Sequence, residues 1–229
     1  MTTANGAAVA SETTESAETV LAYGHLKTGD LILCDNTGHG VLGWFGWIIK
    51  YFTYSDYSHV GIVLKDPAFA KVPLKGLYIW ESMLDDVSLD IEDDKKKRGV
   101  QIIPLEEFIR TYTGKLYTRA VRCGSLVGAD SYAHIFSESV LKEIHDATYD
   151  KPYDVNPLDW IGCARNNDRS PQKTDRFWCS AFVGYVYTKL GLMEPNTDWS
   201  NLTPSYFSTD NRQLSLLKGA MFEGQLALI

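Results

Sequence analysis

The four cysteines of this 229-residue chain, Cys34, Cys123, Cys163 and Cys179, form no CxxC pair. That spacing argues against a zinc site and gives little support to a disulfide framework. Basic residues are outnumbered, with 22 Lys and Arg against 29 Asp and Glu and a net charge of −7. Such a balance gives no general attraction to nucleic acid or to an anionic membrane. Long apolar runs are missing too. The longest, Val41 to Phe52, is interrupted by glycine and lysine and is too short to span a bilayer. The first 20 residues hold neither a basic n-region nor an apolar h-region, so a signal peptide is not expected. Their Ala, Thr, Ser and Glu predict a disordered tail over 1–22. There is no internal repeat. The expected setting is cytosolic, with reduced thiols.

What the chain does contain is a core. Hydrophobic residues make up 45% and aromatics 12%, enough for one ordinary globular domain over 23–229. Short strands are predicted at 30–34, 58–64, 76–81, 100–103 and 115–122, with a weak last one near Met221. Helices are predicted at 41–54, 105–112 and 131–147. The first of these carries Trp44, Trp47, Ile48 and Tyr51 at helical spacing; it packs on the core, or touches a membrane transiently through Trp44 and Trp47. Residues 85–97 are acidic first and basic after, and read as a solvated excursion whose halves neutralise each other. Residues 162–175 read as a polar loop. The class is α+β: a small, mostly antiparallel sheet with helices packed on it.

The stretch Arg176 to Leu192 organises the functional reading. Asp175 can cap a helix whose first turn is Arg176 to Trp178. Phe182, Val183, Val186 and Leu190 then fall on one face with Cys179 at its head, and Gly191 is the stop. Unpaired N–H groups and the positive dipole end of a helix favour a thiolate, the form that acts as nucleophile. A buried, inert cysteine would carry the same pattern, so a base has to be found elsewhere.

Five histidines are available. His25 and His39 lie in turn-like surroundings, and His134 and His145 on a helix. His59 opens an apolar strand, sharing a face with Gly61 and Val63, and Gly61 leaves open space beside it. On the next strand Leu77, Ile79 and Glu81 share a face, so a carboxylate extends a core-facing row. A buried carboxylate needs a partner, and a neighbouring histidine would serve. Cys179, His59 and Glu81 thus form a candidate set of nucleophile, base and orienter.

The order Gly29-Asp30, Tyr57-Ser-His-Val-Gly-Ile-Val63, a strand ending in Glu81, Lys151-Pro-Tyr-Asp154 and Trp178-Cys-Ser180 resembles the circularly permuted papain-like hydrolases. These are the YiiX-like branch of the NlpC-type superfamily, whose relatives include lecithin:retinol acyltransferase and some viral proteins. The likeness covers most of residues 26–193. It implies a permuted papain-like fold, with Cys179 as nucleophile, His59 as base and Glu81 as the third polar residue. It also implies a Tyr153 hydroxyl near the developing oxyanion, beside the Cys179 N–H; ordinary aromatic packing is the other reading of Tyr153.

The expected activity is hydrolysis of an amide or ester through a thioester acyl-enzyme, as in a cysteine peptidase or amidase. A lipid acyl hydrolase or acyltransferase on the same dyad is the alternative, as is a catalytically idle structural or packaged protein of the same fold. Neither metal nor organic cofactor is expected. The expected substrate is a small peptide or a lipid, and the location cytosolic or virion-associated.

Overall fold

The computed structural model describes residues 23–35, 56–84, 87–123, 128–155, 172, 174–210 and 214–228. The tail over 1–22, the helix at 41–54 with Trp44 and Trp47, Cys163 and most of the 162–175 loop lie outside them.

Six strands form the main sheet: β1 (Leu31–Asp35), β2 (His59–Lys65), β3 (Leu77–Met83), β6 (Gly99–Pro104), β7 (Lys115–Cys123) and β8 (Ala220–Ala227), in the order β6-β3-β2-β1-β7-β8. Every pairing is antiparallel. Among the described residues the helices are α1 (Leu105–Thr111), α2 (Gly128–Ile135), α3 (Glu138–Thr148) and α4 (Cys179–Lys189), with 3-10 turns at Trp199–Asn201 and Pro204–Phe207. The α+β expectation therefore holds.

Period 2 divides the sheet's side chains between two clusters. Leu31, Leu33, Val60, Ile62 and Trp80 pack toward α4 in the larger cluster. Ile32, Cys34, Val63, Ile79 and Ile103 face the other way, with Leu105 and Phe108 of α1 among them. The strands are apolar on both faces because both faces are covered.

The α4 helix is buried throughout Cys179 to Tyr187, where one buried stripe was expected. The sheet takes one side, and the segment carrying Trp199, Leu202 and Phe207 takes another. The helix also begins later than expected. Trp178, not Asp175, is its N-cap, and Phe177 is already committed to a bridge with Tyr153. The Phe177 N–H donates to Pro152 O at 3.1 Å, and its carbonyl accepts the Ser82 hydroxyl at 2.7 Å. Backbone groups so engaged cannot enter a helix, and Cys179 becomes its first residue.

The single helix expected over 131–147 is two. Ser137 is extended, with φ −67 and ψ 146, between α2 and α3. Adjacent residues on one helix point about 100° apart. The break lets Ile135 and Phe136 both reach the core.

The 85–97 excursion is not simply solvated. Its strands β4 (Leu89–Asp90) and β5 (Lys95–Lys96) make a hairpin that turns Asp90, Glu92 and Lys97 inward and leaves Asp94, Lys95 and Lys96 exposed. Asp90 is buried and accepts the N–H groups of Glu92, Asp93 and Ile102 at 2.9–3.0 Å. Glu92 meets His145 of α3 at 2.8 Å. Lys97 lies between Asp90, Asp93 and Asp150. Opposite charges do neutralise each other there, around Asp90, Glu92 and Lys97 as pairs drawn out of solvent and elsewhere at the exposed surface.

Candidate active site

A row of polar side chains crosses the sheet on the α1 side. Cys34 of β1 pairs in register with His59 of β2, and Glu81 of β3 with Gln101 of β6. The β2–β3 register, Ile62 opposite Trp80, carried one residue further sets Gly61 opposite Glu81. His59 therefore reaches Glu81 diagonally, within the range of long side chains. Its Nε2 lies 2.6 Å from Glu81 Oε2. The other carboxylate oxygen accepts the Gln101 Nε2–H at 3.0 Å. All three side chains are buried, Glu81 completely.

Gly61 does not leave open space. A Cβ there would stand 2.6 Å from Ile79 Cδ1 and 3.3 Å from Glu81 Cβ. The missing side chain lets Ile79 close over the strand beneath the His59–Glu81 contact, so the glycine serves packing.

His59 and Glu81 project from the sheet face opposite the one that α4 covers. The Cys179 thiol is nevertheless close enough to His59 to favour its charged form. The meeting takes place where β2 begins and β3 ends, because both His59 and Cys179 are the first residues of their elements. With Nε2 held by Glu81, Nδ1 is the ring nitrogen left for the thiol. Burial works against an imidazolium here, but the Glu81 charge and hydrogen bonds from Cys179 and Glu81 outweigh it and raise His59 from 6.5 to about 10.

Tyr153 joins the same point from the segment that follows α3. Its N–H donates to Arg98 O at 3.0 Å, and Val100 N–H to Lys151 O at 2.9 Å. This docking needs Gly99, whose φ is +143 and whose Cβ would fall 2.1 Å from Lys151 O. The Tyr153 hydroxyl contacts both the backbone N–H and the thiol of Cys179. Burial first, then the charges of Cys179 and Asp154, push its phenol well above the usual range. It is therefore a neutral O–H donor. The set of Cys179, His59, Glu81 and Tyr153 is brought together.

Three participants were missed. Gln101 was legible as the lone polar residue of the predicted strand 100–103. Ser82, which fixes Phe177 and so the start of α4, had no signal beyond following Glu81. Cys34, in register with His59, also lies beside the dyad. Burial, then the charges of Glu81 and Cys179, push it well up. The Tyr112 hydroxyl contacts Cys34 and lies 3.4 Å from Ser58 Oγ, closing the row on the side of α1.

The arrangement is enclosed: Cys179 is 2% exposed and His59 5%. Such surroundings strengthen every charge contact within them. A cleft of about 400 Å³ lined by Lys65, Lys75, Tyr78 and Pro104 lies at the opposite end of β2 and β3, away from the dyad. Among the described residues no group of His, Cys, Asp and Glu is arranged to hold a metal ion, and no helix is long and apolar enough to cross a membrane. No family model and no curated protein matches this chain.

Proposed function

We propose that the chain is a cysteine hydrolase of the permuted papain-like type, cleaving an amide or ester through a thioester acyl-enzyme. The observation that carries the reading is the carboxylate–imidazole pair beside a thiol: His59 held 2.6 Å from Glu81, with Cys179 near enough to raise the His59 pKa. In sequence the base precedes the nucleophile, as the resemblance requires.

In the proposed reaction His59 holds the thiol proton as an imidazolium stabilised by Glu81. The Cys179 thiolate attacks the substrate carbonyl carbon. The oxyanion takes hydrogen bonds from the Tyr153 O–H and the Cys179 N–H, which in the resting site engage each other. His59 gives its proton to the leaving amine or alkoxide, and the thioester remains. Water, deprotonated by His59, then attacks the thioester and releases the acid and the thiol. Because the thiol is nearly closed to solvent, the surrounding chain must give way for substrate to enter.

The acyl donor is a small peptide amide or a lipid acyl ester, and the proposed setting is cytosolic or virion-associated. The three described cysteines, all unpaired, support a reduced compartment. Incubation with peptide and lipid extracts, an acid quench and mass spectrometry should reveal an acyl adduct on Cys179. Its absence from both extracts, with an active thiol, would favour an idle protein of the same fold.

A further inference from the structure

Beyond the dyad and Glu81, the buried row contains one side chain whose own hydrogen bonding is incomplete. Gln101 is 3% exposed, and its Nε2 donates to Glu81 Oε1. Its Oε1 is buried and accepts no hydrogen bond. A buried amide oxygen left unpaired is costly, and an apolar side chain would fill the strand position without that cost. The arrangement is favourable only if the amide N–H is needed where it is.

We infer that Gln101 is a positioning residue for the dyad, holding Glu81 as an oriented carboxylate so that the His59 proton stays on the imidazole. The inference rests on the cysteine hydrolase reading and adds a fourth member to it. Glu81 is completely buried and has two oxygens to satisfy. Oε2 is served by His59 and Oε1 by Gln101, on the strands to either side. Without the second donor, the buried carboxylate would lose one of its two hydrogen bonds and its hold on the His59 imidazolium would loosen. A loosely held His59 supports the Cys179 thiolate less. The orientation of the amide also has a direction. Nε2 toward Glu81 suits a carboxylate, whereas Oε1 toward Glu81 would suit a protonated acid. The unpaired Oε1 marks the cost of keeping the first.

The test uses the full chain and iodoacetamide, followed across pH 5–9 as the alkylation rate of Cys179, with the His59 ring titrated by NMR over about pH 5–12 alongside. Gln101→Leu should lower the rate at pH 6 about tenfold, the size of effect that loss of an orienting partner has elsewhere. The same variant should move the His59 midpoint downward by about one pH unit. Gln101→Asn, which keeps an amide but withdraws it, should fall between Leu and the native residue. It also serves if the Leu variant does not fold. A structural role alone would lower the melting temperature and leave both pH profiles in place, and that result overturns the inference while the hydrolase reading stands. If His59→Ala also leaves the alkylation profile unchanged in a folded protein, there is no dyad to position and both fall.

Discussion

Two histidine–glutamate pairs are buried among the described residues, and only one of them adjoins a cysteine thiol. His59–Glu81 spans 2.6 Å between two strands, and His145–Glu92 spans 2.8 Å between α3 and the charged hairpin. Burial does not separate them, since both histidine side chains are 6% exposed. The difference lies in the next neighbour. Beside His59 it is the Cys179 thiol at the head of α4. Beside His145 it is Asp146, 3.6 Å from Nδ1, and the ring packs among Phe69, Trp80 and Tyr149. The second pair fastens the hairpin to α3, whose end leads into the Tyr153 segment. A carboxylate–imidazole pair is thus a structural clasp unless a nucleophile completes it.

Breaking the comparison at its widest point means measuring thiol reactivity. His59→Ala should lower the alkylation rate of Cys179 at pH 6 about a hundredfold, within the range that a positioned base contributes. His145→Ala should change it less than about twofold in a folded protein. Cys34, enclosed and pushed up by its surroundings, should stay unlabelled in both. Comparable losses from the two histidines would show that the distinction drawn here is wrong.

Stability should reverse the ranking's meaning. Removing the histidine of either pair leaves a buried carboxylate uncompensated, at about 3 kcal/mol or more in denaturant unfolding. Replacing both members with apolar residues, His145→Phe with Glu92→Leu, should recover most of that loss and keep Cys179 reactive. The corresponding change at His59 and Glu81 should recover stability without reactivity. If reactivity survives there, the thiol does not depend on the pair.

The pairs should also part with pH. Glu92 is buried, which raises its carboxyl, but the His145 hydrogen bond, the Lys71 N–H and the charges of both outweigh that and lower it below 4.5. Its folded value lies under the unfolded one, so its contribution is present above pH 4.5 and fades as pH falls through the folded value. His59 is raised from 6.5 to about 10, so its contribution is full below pH 6.5 and fades as pH rises through about 10. Denaturant midpoints against pH should lose part of their acid slope in Glu92→Gln and part of their alkaline slope in His59→Ala. The opposite assignment of slopes would refute the electrostatics of one pair or both.

The smallest expected effect is at Gly61. Gly61→Ala must displace Ile79, at a cost of about 1–2 kcal/mol typical of overpacking, and tilt Glu81 only slightly. Alkylation of Cys179 should fall by less than about fivefold. An unchanged melting temperature would mean that Ile79 has room after all.

Much of this was legible in the chain because it is local. Alternation placed His59 with Gly61 and Val63, and Glu81 with Ile79, and Gly191 does end the cysteine helix, at φ +68. A carboxylate in an apolar row announced a buried partner, since charge is not left alone in a core. Gln101 announced itself in the same way and went unread. Tertiary structure decided the rest. Period 2 assigns a side chain to one face of a strand but not to what covers that face, so no spacing rule could show that His59 and the α4 thiol meet around the strand ends. Nor could it show that Tyr153 and Ser82 hold Phe177 out of the helix, making Cys179 its first residue. The charged hairpin reads as neutral by composition. Only its fold decides which acids turn inward, because a charge is buried when a partner arrives from elsewhere in the chain.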